Sequence, residues 1–218
     1  PVLFQSQRFE AYRSAADTLE QLGLLYPCLA TRAEIEAAAD PNLRDPDGAP
    51  LYPGLWRDRD ASEIAIRKAR GESHALRLDM AKAIRVAHQR LAGHPLTFIE
   101  GGDGTPREIT ANPARWGDAV LVRKDTPTSY HLAVVVDDAF QGVTHVTRGE
   151  DLFAATDLHR LLQVLLDLAA PLYEHHRLIT DTTGRKLAKS ARDTSLRALR
   201  DAGATPADIR RMVGLPTT

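Results

Sequence analysis

Hydrophobic residues recur at helical spacing near the beginning of the chain. The repeated positions are Phe9, Tyr12, Ala16, Leu19 and Leu22. Because side chains three or four residues apart share one face of a helix, this spacing predicts an amphipathic helix over residues 6–22. Gly23 follows the last of these positions and is expected to end the helix.

Short apolar runs further along the chain predict strands. Residues 119–122 and 132–136 are apolar throughout and rich in valine, which is typical of strands buried on both faces of a parallel sheet. A shorter run predicts a strand at residues 75–78. Longer segments predict helices at residues 32–39, 80–91 and 158–170. Together these elements indicate an α/β fold.

The last part of the chain predicts two short helices and a locally basic surface. The first helix begins at Thr194 and is closed by Gly203. In the second, Thr205 supplies a capping hydroxyl and Pro206 takes the first helical position. Residues 185–211 contain eight Lys or Arg against three Asp. Such a charge is typical either of a solvated helical face or of a surface that contacts RNA or phosphate.

The composition is that of an ordinary globular protein. Of the 218 residues, 43% are hydrophobic and 26% are charged, and the formal net charge is −1. This balance excludes a protein that coats nucleic acid indiscriminately, but it allows a local basic patch. A single cysteine excludes an internal disulfide and fits the reducing cytoplasm. No apolar run approaches the roughly 18 residues that a membrane span needs, and one domain with an inserted subdomain is expected.

Two lysines three residues apart form a candidate phosphate-binding loop. Lys186 and Lys189 flank Leu187 in a short loop. Their mobile ammonium groups can both reach one polyphosphate and follow its charge as it shifts during a reaction. A lysine-rich loop that only faces solvent is the alternative interpretation.

A candidate carboxylate-binding residue lies in the middle of the chain. Arg148 follows an apolar stretch at residues 143–146 and precedes a glycine. A guanidinium held at the end of a strand can bind a carboxylate through two parallel hydrogen bonds. A structural ion pair with Glu150 or Asp151 is the alternative.

Two further polar pairs are weaker candidates. Asp137 and Asp138 follow the apolar run at residues 132–136, where they could be acid–base or metal-binding carboxylates or could cap the next turn. His175 and His176 are adjacent, and neighbouring side chains on an extended segment point to opposite faces. The two histidines are therefore expected to be structural and not to share a metal ion.

The order of these motifs resembles a known family. Residues 129–138 (SYHLAVVVDD), residues 146–152 (VTRGEDL) and residues 184–190 (GRKLAKS) are similar to the second half of the catalytic domain of class I aminoacyl-tRNA synthetases of the glutamyl type. Ala188 stands where the family usually has serine. The family's His-Ile-Gly-His-type ATP motif does not occur in residues 1–23.

The resemblance implies a fold and a domain organisation. The fold would be a Rossmann-type class I synthetase catalytic domain at residues 1–192, with an inserted subdomain at about residues 24–118. A short helical segment would follow at residues 193–218. A monomer is expected.

The resemblance also implies a set of site residues. Tyr130 and Arg148 match the tyrosine and arginine that bind the glutamate substrate in this family. Lys186, Leu187 and Lys189 match the loop that binds ATP, with the two lysines catalytic and Mg²⁺ accompanying the nucleotide.

Many members of the family carry a structural zinc site in the inserted subdomain. The matching positions here are Cys28, Ala30, Tyr52 and Trp56. A structural zinc ion needs about four good ligands, and this set offers one thiolate and a poor phenol. Zinc is therefore not expected, and Trp56 is expected to pack where a metal holds the loop in those relatives.

The length after the lysine loop points to one branch of the family. Only 28 residues follow Ser190, which is fewer than the helical anticodon-binding part of a glutamyl-tRNA synthetase needs. The chain thus resembles the truncated branch, the glutamyl-queuosine tRNA(Asp) synthetases, which implies ATP, L-glutamate and the anticodon loop of tRNA(Asp) as partners. A fragment of a conventional glutamyl-tRNA synthetase and a catalytically inactive RNA-binding paralogue are the alternatives. Because Pro1 is the first residue, the natural N-terminus is expected to be missing.

Overall fold

The structure is a computed structural model that describes residues 2–101, 105–181, 183, 187 and 195–216. Its backbone contacts divide the chain into two compact units. The first comprises residues 1–148 and 152–175, and the second comprises residues 149–151 and 176–218. The predicted domain boundary between residues 192 and 193 lies outside the described residues, and the predicted subdomain at residues 24–118 stays a prediction.

The first unit contains a three-stranded antiparallel sheet. Its strand order is β1 (Leu25–Cys28), β2 (Ala75–Leu78) and β5 (Val120–Val122). The strands expected at residues 75–78 and 119–122 are therefore present. The prediction that residues 119–122 belong to a parallel sheet was wrong, because β5 pairs antiparallel with β2.

A second sheet has four strands in the order β4 (Arg107–Thr110), β3 (Thr97–Glu100), β7 (Leu172–His176) and β6 (His145–Gly149). Strands β3 and β4 form an antiparallel pair. Strands β3 and β7 are parallel, with Glu100 opposite Tyr173. This pairing brings together residues that are far apart in sequence, and it positions the site described below.

The apolar run at residues 132–136 is helical, so the prediction of a strand there was wrong. It lies in α5 (Tyr130–Gln141), which begins after Ser129, whose side chain accepts a hydrogen bond from the backbone N–H of Leu132. Gly142 ends the helix in the left-handed conformation, which glycine adopts at low cost. The β-propensity of the valines is overridden because this helix is buried among other helices.

The other helices of the first unit agree with the sequence to different degrees. Those expected at residues 6–22, 32–39 and 80–91 are present within one or a few residues, whereas the helix expected at residues 158–170 begins earlier and ends at Leu165. One helix at residues 61–69 was not predicted, because charged and apolar residues alternate there without one clean helical period. Their bounds are α1 (Phe9–Gln21), α2 (Arg32–Ala38), α3 (Ala61–Ala69), α4 (Met80–Arg90) and α6 (Ala155–Leu165).

The main hydrophobic core lies among α1, α4, α5, α6 and the first sheet. Its fully buried members are mostly leucines, and the leucines with no exposed area are Leu19, Leu78, Leu121, Leu132, Leu158, Leu161, Leu162 and Leu165. Burying one such side chain contributes about 1.5–3 kcal/mol. The core therefore fixes α5 and α6, the two helices that carry the candidate site.

A buried carboxylate attaches the first helix to this core. Asp137 on α5 accepts hydrogen bonds from Arg8 Nε at 2.6 Å, Tyr12 Oη at 2.6 Å and Gln5 Nε2 at 3.3 Å. Burial and the neighbouring carboxylate raise the pKa of Tyr12 to about 12, so its hydroxyl stays a donor at neutral pH. Asp137 is thus a structural residue.

The second unit contains the two short helices expected from the sequence, α7 (Leu196–Asp201) and α8 (Pro206–Met212). The side chain of Ser195 caps α7. Thr205 and Asp208 form a reciprocal capping box at the start of α8. Among the described helices of both units, none is long and apolar enough to cross a membrane.

Candidate active site

The candidate site is built around the guanidinium of Arg148 on β6. Its Nε donates to His175 Nε2 at 3.1 Å, and its Nη1 lies 3.1 Å from His159 Nδ1. Its Nη2 donates to the hydroxyl of Thr156. Helix α6 supplies Thr156 and His159, and strand β7 supplies His175. Three groups from two neighbouring elements therefore orient this one side chain.

A buried carboxylate holds one of these groups from behind. Glu100 Oε1 accepts from the backbone N–H of His175 at 2.8 Å, and Glu100 Oε2 lies 2.6 Å from His175 Nδ1. The side chains of both residues are almost fully buried. The parallel pairing of β3 with β7 produces this contact, because it places the end of β3 beside residue 173.

Tyr130 lies at the beginning of α5 and is half-exposed. Its ring contacts the edge of the His131 ring, with centroids 5.3 Å apart, and the His159 ring at 5.6 Å. Arg148 contacts the same His159 ring through its guanidinium. The structure therefore brings Tyr130 and Arg148, which the sequence places 18 residues apart, to one site.

Two of the histidines are neutral, the buried His159 and the partly buried His131. His131 Nδ1 lies 3.1 Å from His159 Nε2, and the His131 ring meets the indole of Trp116 with centroids 4.8 Å apart. Burial, and after it the charge of Arg148, lowers the pKa of His131 to about 4. The same two causes, in that order, hold the pKa of His159 well below its usual value. Both rings are neutral at physiological pH.

A cavity of about 440 Å³ lies beside this cluster. His131 and Trp116 line one part of it, and α2, the loop at residues 44–52, β2 and residues 118–120 at the start of β5 line the rest. Arg77 stacks over the ring of Tyr52 at 3.9 Å from the ring centre. The cavity thus combines aromatic rings with charged groups of both signs, which are contributed by Arg32, Arg44, Arg77, Glu36, Asp45, Asp47 and Asp118.

The positions matched to a zinc site lie together in a small core. Cys28 Sγ is 3.4 Å from Tyr52 Oη, and the same oxygen accepts from the backbone N–H of Trp56 at 2.9 Å. Ala30 is buried in the same cluster. Burial and the contact with Cys28 raise the pKa of Tyr52. A protonated phenol and one thiol do not fit a zinc ion, which needs about four ligands.

Trp56 fills this small core, as the sequence suggested. The indole is buried, and the guanidinium groups of Arg59 and Arg67 lie over its ring at 5.4 Å and 4.9 Å from the ring centre. In the described part of the chain, no group of at least three His, Cys, Asp or Glu side chains is arranged to hold a metal ion. The absence of zinc from the protein stays a prediction.

The predicted lysine loop is only partly described. Lys186 and Lys189 lie outside the described residues. Leu187 is described: its side chain is partly exposed and its backbone N–H donates to the carbonyl of Ile179 at 3.2 Å. ATP binding by these three residues therefore stays a prediction.

Other candidates from the sequence have different places. Asp137 and Asp138 are not at the end of a strand but within α5. Asp138 is half-buried, and desolvation raises its pKa, against the lowering effect of Arg148 and with a further raising effect of Asp137. His175 lies in the cluster, between Glu100 and Arg148, whereas the side chain of His176 is exposed.

Sequence reasoning missed Glu100, Thr156 and His159. Thr156 and His159 lie in a helical run of leucines, where a fully buried histidine is unusual and is a signal in itself. Glu100 is the last residue of a short strand, and no pattern in the neighbouring sequence marks it as a site residue. Its role depends on the pairing of two strands that lie some seventy residues apart.

The fold and this site define a class. Residues 1–216 match the family described as tRNA synthetases class I (E and Q), catalytic domain. The chain therefore belongs to this family.

Similar proteins agree with this class. The chain is 45% identical over 225 residues to a glutamyl-Q tRNA(Asp) synthetase of Rhodobacter capsulatus, an alignment that covers 99% of the chain and 76% of that protein. It is 38% identical over 198 residues to a protein of the same name from Thiobacillus denitrificans, which covers 89% of the chain and 57% of the relative.

Solved structures support the fold. A crystal structure of a glutamate tRNA ligase from Elizabethkingia meningosepticum, in complex with its amino acid, superposes with a TM-score of 0.63 at 23% identity. The match covers 94% of the chain and 38% of that structure. The chain thus has the fold of one part of a longer ligase.

Proposed function

We propose that the protein activates L-glutamate with ATP and transfers the glutamyl group to the queuosine of tRNA(Asp). One observation carries the first half of this proposal. The guanidinium of Arg148 donates to a hydroxyl and to two imidazole nitrogens, beside the half-exposed Tyr130. Because none of these hydrogen-bond partners is a carboxylate, none of them neutralises the positive charge of Arg148, and that charge is available to attract an anionic ligand.

The remaining hydrogen-bond capacity of Arg148 suits a carboxylate. A guanidinium has five N–H donors, and the contacts with His175, His159 and Thr156 use three of them. One N–H then remains on each terminal nitrogen. A carboxylate of glutamate would accept these, and Tyr130 would line the same pocket.

The proposed chemistry has two steps. In the first, an oxygen of the glutamate α-carboxylate attacks the α-phosphorus of ATP, and pyrophosphate leaves with the displaced electron pair. Lys186 and Lys189 would offset the charge that develops on the phosphates, with Mg²⁺ bound to the nucleotide. Arg148 and Tyr130 would hold the amino acid in line for this attack.

In the second step, a hydroxyl of the queuosine cyclopentene ring attacks the carbonyl carbon of the adenylate. AMP leaves, and the hydroxyl proton passes to solvent. The aromatic rings of the cavity beside His131 support an acceptor that is a nucleoside, because aromatic side chains stack with bases. The names of the relatives support queuosine as the acceptor.

A pyrophosphate-exchange assay tests the first step. The purified protein is incubated with ATP and labelled pyrophosphate, with glutamate, glutamine or aspartate as the amino acid. Glutamate should promote exchange of label into ATP far more than the other two. Exchange that is absent with all three amino acids, or equal for all three, would overturn the proposal.

A further inference from the structure

We propose that His175, His159 and His131 form a relay of neutral, tautomer-fixed imidazoles that positions Arg148 for its substrate, with Glu100 setting the tautomer of the first ring. The identity of the substrate rests on the proposed function, whereas the contacts among the three rings, Arg148 and Glu100 do not depend on it. The three rings are positioning residues, because they act through Arg148.

The direction of the relay follows from the chemistry of arginine. A guanidinium only donates hydrogen bonds. The two nitrogens that it contacts, His175 Nε2 and His159 Nδ1, must therefore offer lone pairs. Neither of these nitrogens carries a proton while the contacts exist.

Glu100 fixes the tautomer of His175. Since Nε2 is an acceptor, the ring proton of His175 is on Nδ1, which faces Glu100 Oε2 at 2.6 Å. The second oxygen of Glu100 accepts from the backbone N–H of the same residue at 2.8 Å. The hydroxyl of Thr156, 3.2 Å from His175 Nε2, is placed to donate to the same lone pair.

The second branch runs from Arg148 toward the cavity. Since His159 Nδ1 accepts from Arg148, the proton of His159 is on Nε2, and it is donated to His131 Nδ1 at 3.1 Å. His131 then carries its own proton on Nε2. Because His131 lines the cavity of about 440 Å³, the relay joins the Arg148 pocket to the proposed acceptor cavity.

Protonation of any ring would break the relay, because it would place an N–H against an N–H and a positive charge beside Arg148. Burial and that charge keep the pKa of His131 and of His159 low. The charged and titratable groups that face the rings come from every packed element. Among the described residues they include Arg148 on β6, Glu100 on β3, Tyr173 on β7, and Tyr130 and Asp138 on α5.

Replacing Glu100 with glutamine is the sharpest test, because the side chain keeps its shape while an NH₂ donor takes the place of one of the two acceptor oxygens. One of the two groups that donate to Glu100 must then face an amide NH₂. If that group is His175 Nδ1, the ring changes tautomer and turns an N–H toward Arg148. We expect E100Q to raise the KM for glutamate about tenfold or more, with the KM for ATP changed less than twofold.

A matched control is Glu108→Gln on the neighbouring strand β4. Glu108 is exposed and accepts from the hydroxyl of Thr97. It belongs to the same sheet as Glu100 but does not contact the relay, so E108Q should leave both KM values unchanged. If E100Q raises the KM for glutamate and the KM for ATP equally, while E108Q changes neither, Glu100 is merely structural.

Nitrogen-15 NMR of histidine-labelled protein reads the tautomers without any substrate. The wild-type spectrum should show the proton of His175 on Nδ1 and the protons of His159 and His131 on Nε2, unchanged between pH 8 and about pH 6. E100Q should change the His175 signal and E108Q should not. The opposite tautomers, or a ring among the three that titrates near pH 6.5, would overturn the relay.

The two readouts separate the inference from the proposed function. If the predicted tautomers are found but glutamate neither binds nor promotes exchange, the proposed function fails and the relay stands with another ligand for Arg148. If glutamate is activated but the tautomers are reversed, the relay fails and the proposed function stands.

Discussion

At the scale of single residues, the site depends on one guanidinium whose hydrogen-bond partners are not carboxylates. Arg148 has two imidazole rings and a hydroxyl as its hydrogen-bond partners, and its guanidinium also lies over the ring of Tyr173 at 5.3 Å. Electrostatic attraction is stronger in such a partly dry pocket than in water. A substrate carboxylate would therefore bind here with much of its affinity from Arg148.

Removing this guanidinium should separate the two substrates. We expect Arg148→Ala to raise the KM for glutamate roughly tenfold to a hundredfold, because a charged hydrogen-bond partner contributes about 1.5–3 kcal/mol. The KM for ATP should change little. Steady-state exchange kinetics measure both constants. Arg123→Ala, an exposed arginine paired with Asp125, is the control, and equal effects of R148A on both substrates would contradict the assignment.

Only part of this arrangement was predictable from the sequence. Tyr130 and Arg148 could be found because each lies in a short block that resembles the family. Glu100 and His159 could not, because no local pattern says that one is hydrogen-bonded to His175 or the other to Arg148. Those contacts arise from strand pairing and helix packing over long sequence distances.

At the scale of secondary structure elements, α5 shows where the sequence was misread. Its valines suggested a strand, but Ser129 at one end and Gly142 at the other are helix boundary signals. The spacing of its buried residues is also helical: the buried positions are Leu132, Ala133, Val135 and Asp137. Burial by α1 and α6 decides the outcome, which β-propensity alone could not foresee.

The attachment of α1 to α5 can be tested by a substitution of similar shape. Asp137→Asn removes the charge to which Arg8, Tyr12 and Gln5 donate. We expect the free energy of unfolding to fall by about 2–3 kcal/mol, because a buried arginine loses its partner. Urea denaturation measures this change. Asp17→Asn, on the exposed face of α1, should have no comparable effect, and a loss in D137N no larger than in this control would contradict the structural role.

The small core around Cys28 should be stable without a metal ion. Elemental analysis of the purified protein should find no stoichiometric zinc, and a chelator should leave the melting temperature unchanged. The reason is that Tyr52 is engaged by Cys28 and by the backbone of Trp56. One equivalent of zinc that is lost in Cys28→Ser would refute this prediction.

At the scale of the whole molecule, the buried histidines link folding to pH. The folded pKa of His131 is about 4, below the ordinary value of about 6.5. Between these pH values the unfolded chain binds more protons, so protons favour unfolding and stability falls as the pH falls.

The stability of the protein should therefore decrease in mildly acidic solution. For His131 alone, the free energy of unfolding should fall on the order of 1–2 kcal/mol from pH 6.5 to pH 5. Urea denaturation at several pH values measures the slope, and His131→Gln should reduce it. A slope that is unchanged in H131Q would show that this ring is not buried neutral.

The fold class of the whole molecule was predictable, while its sheet topology was not. The resemblance gave the class I synthetase domain, which the family match confirms. The apolar runs could not reveal that the first sheet is antiparallel, since a buried strand reads the same in either orientation. The site follows from the second sheet, in which β3 and β7 are parallel.

The central claim is that glutamate is transferred to queuosine, and one measurement tests it most directly. Queuosine-containing and queuosine-free tRNA(Asp) are each incubated with the protein, ATP and labelled glutamate. Only the modified tRNA should take up label, and removing its 3′-terminal adenosine should leave that uptake unchanged. Equal labelling of the queuosine-free tRNA, or loss of labelling with the terminal adenosine, would contradict the account and would indicate charging of the 3′ end instead.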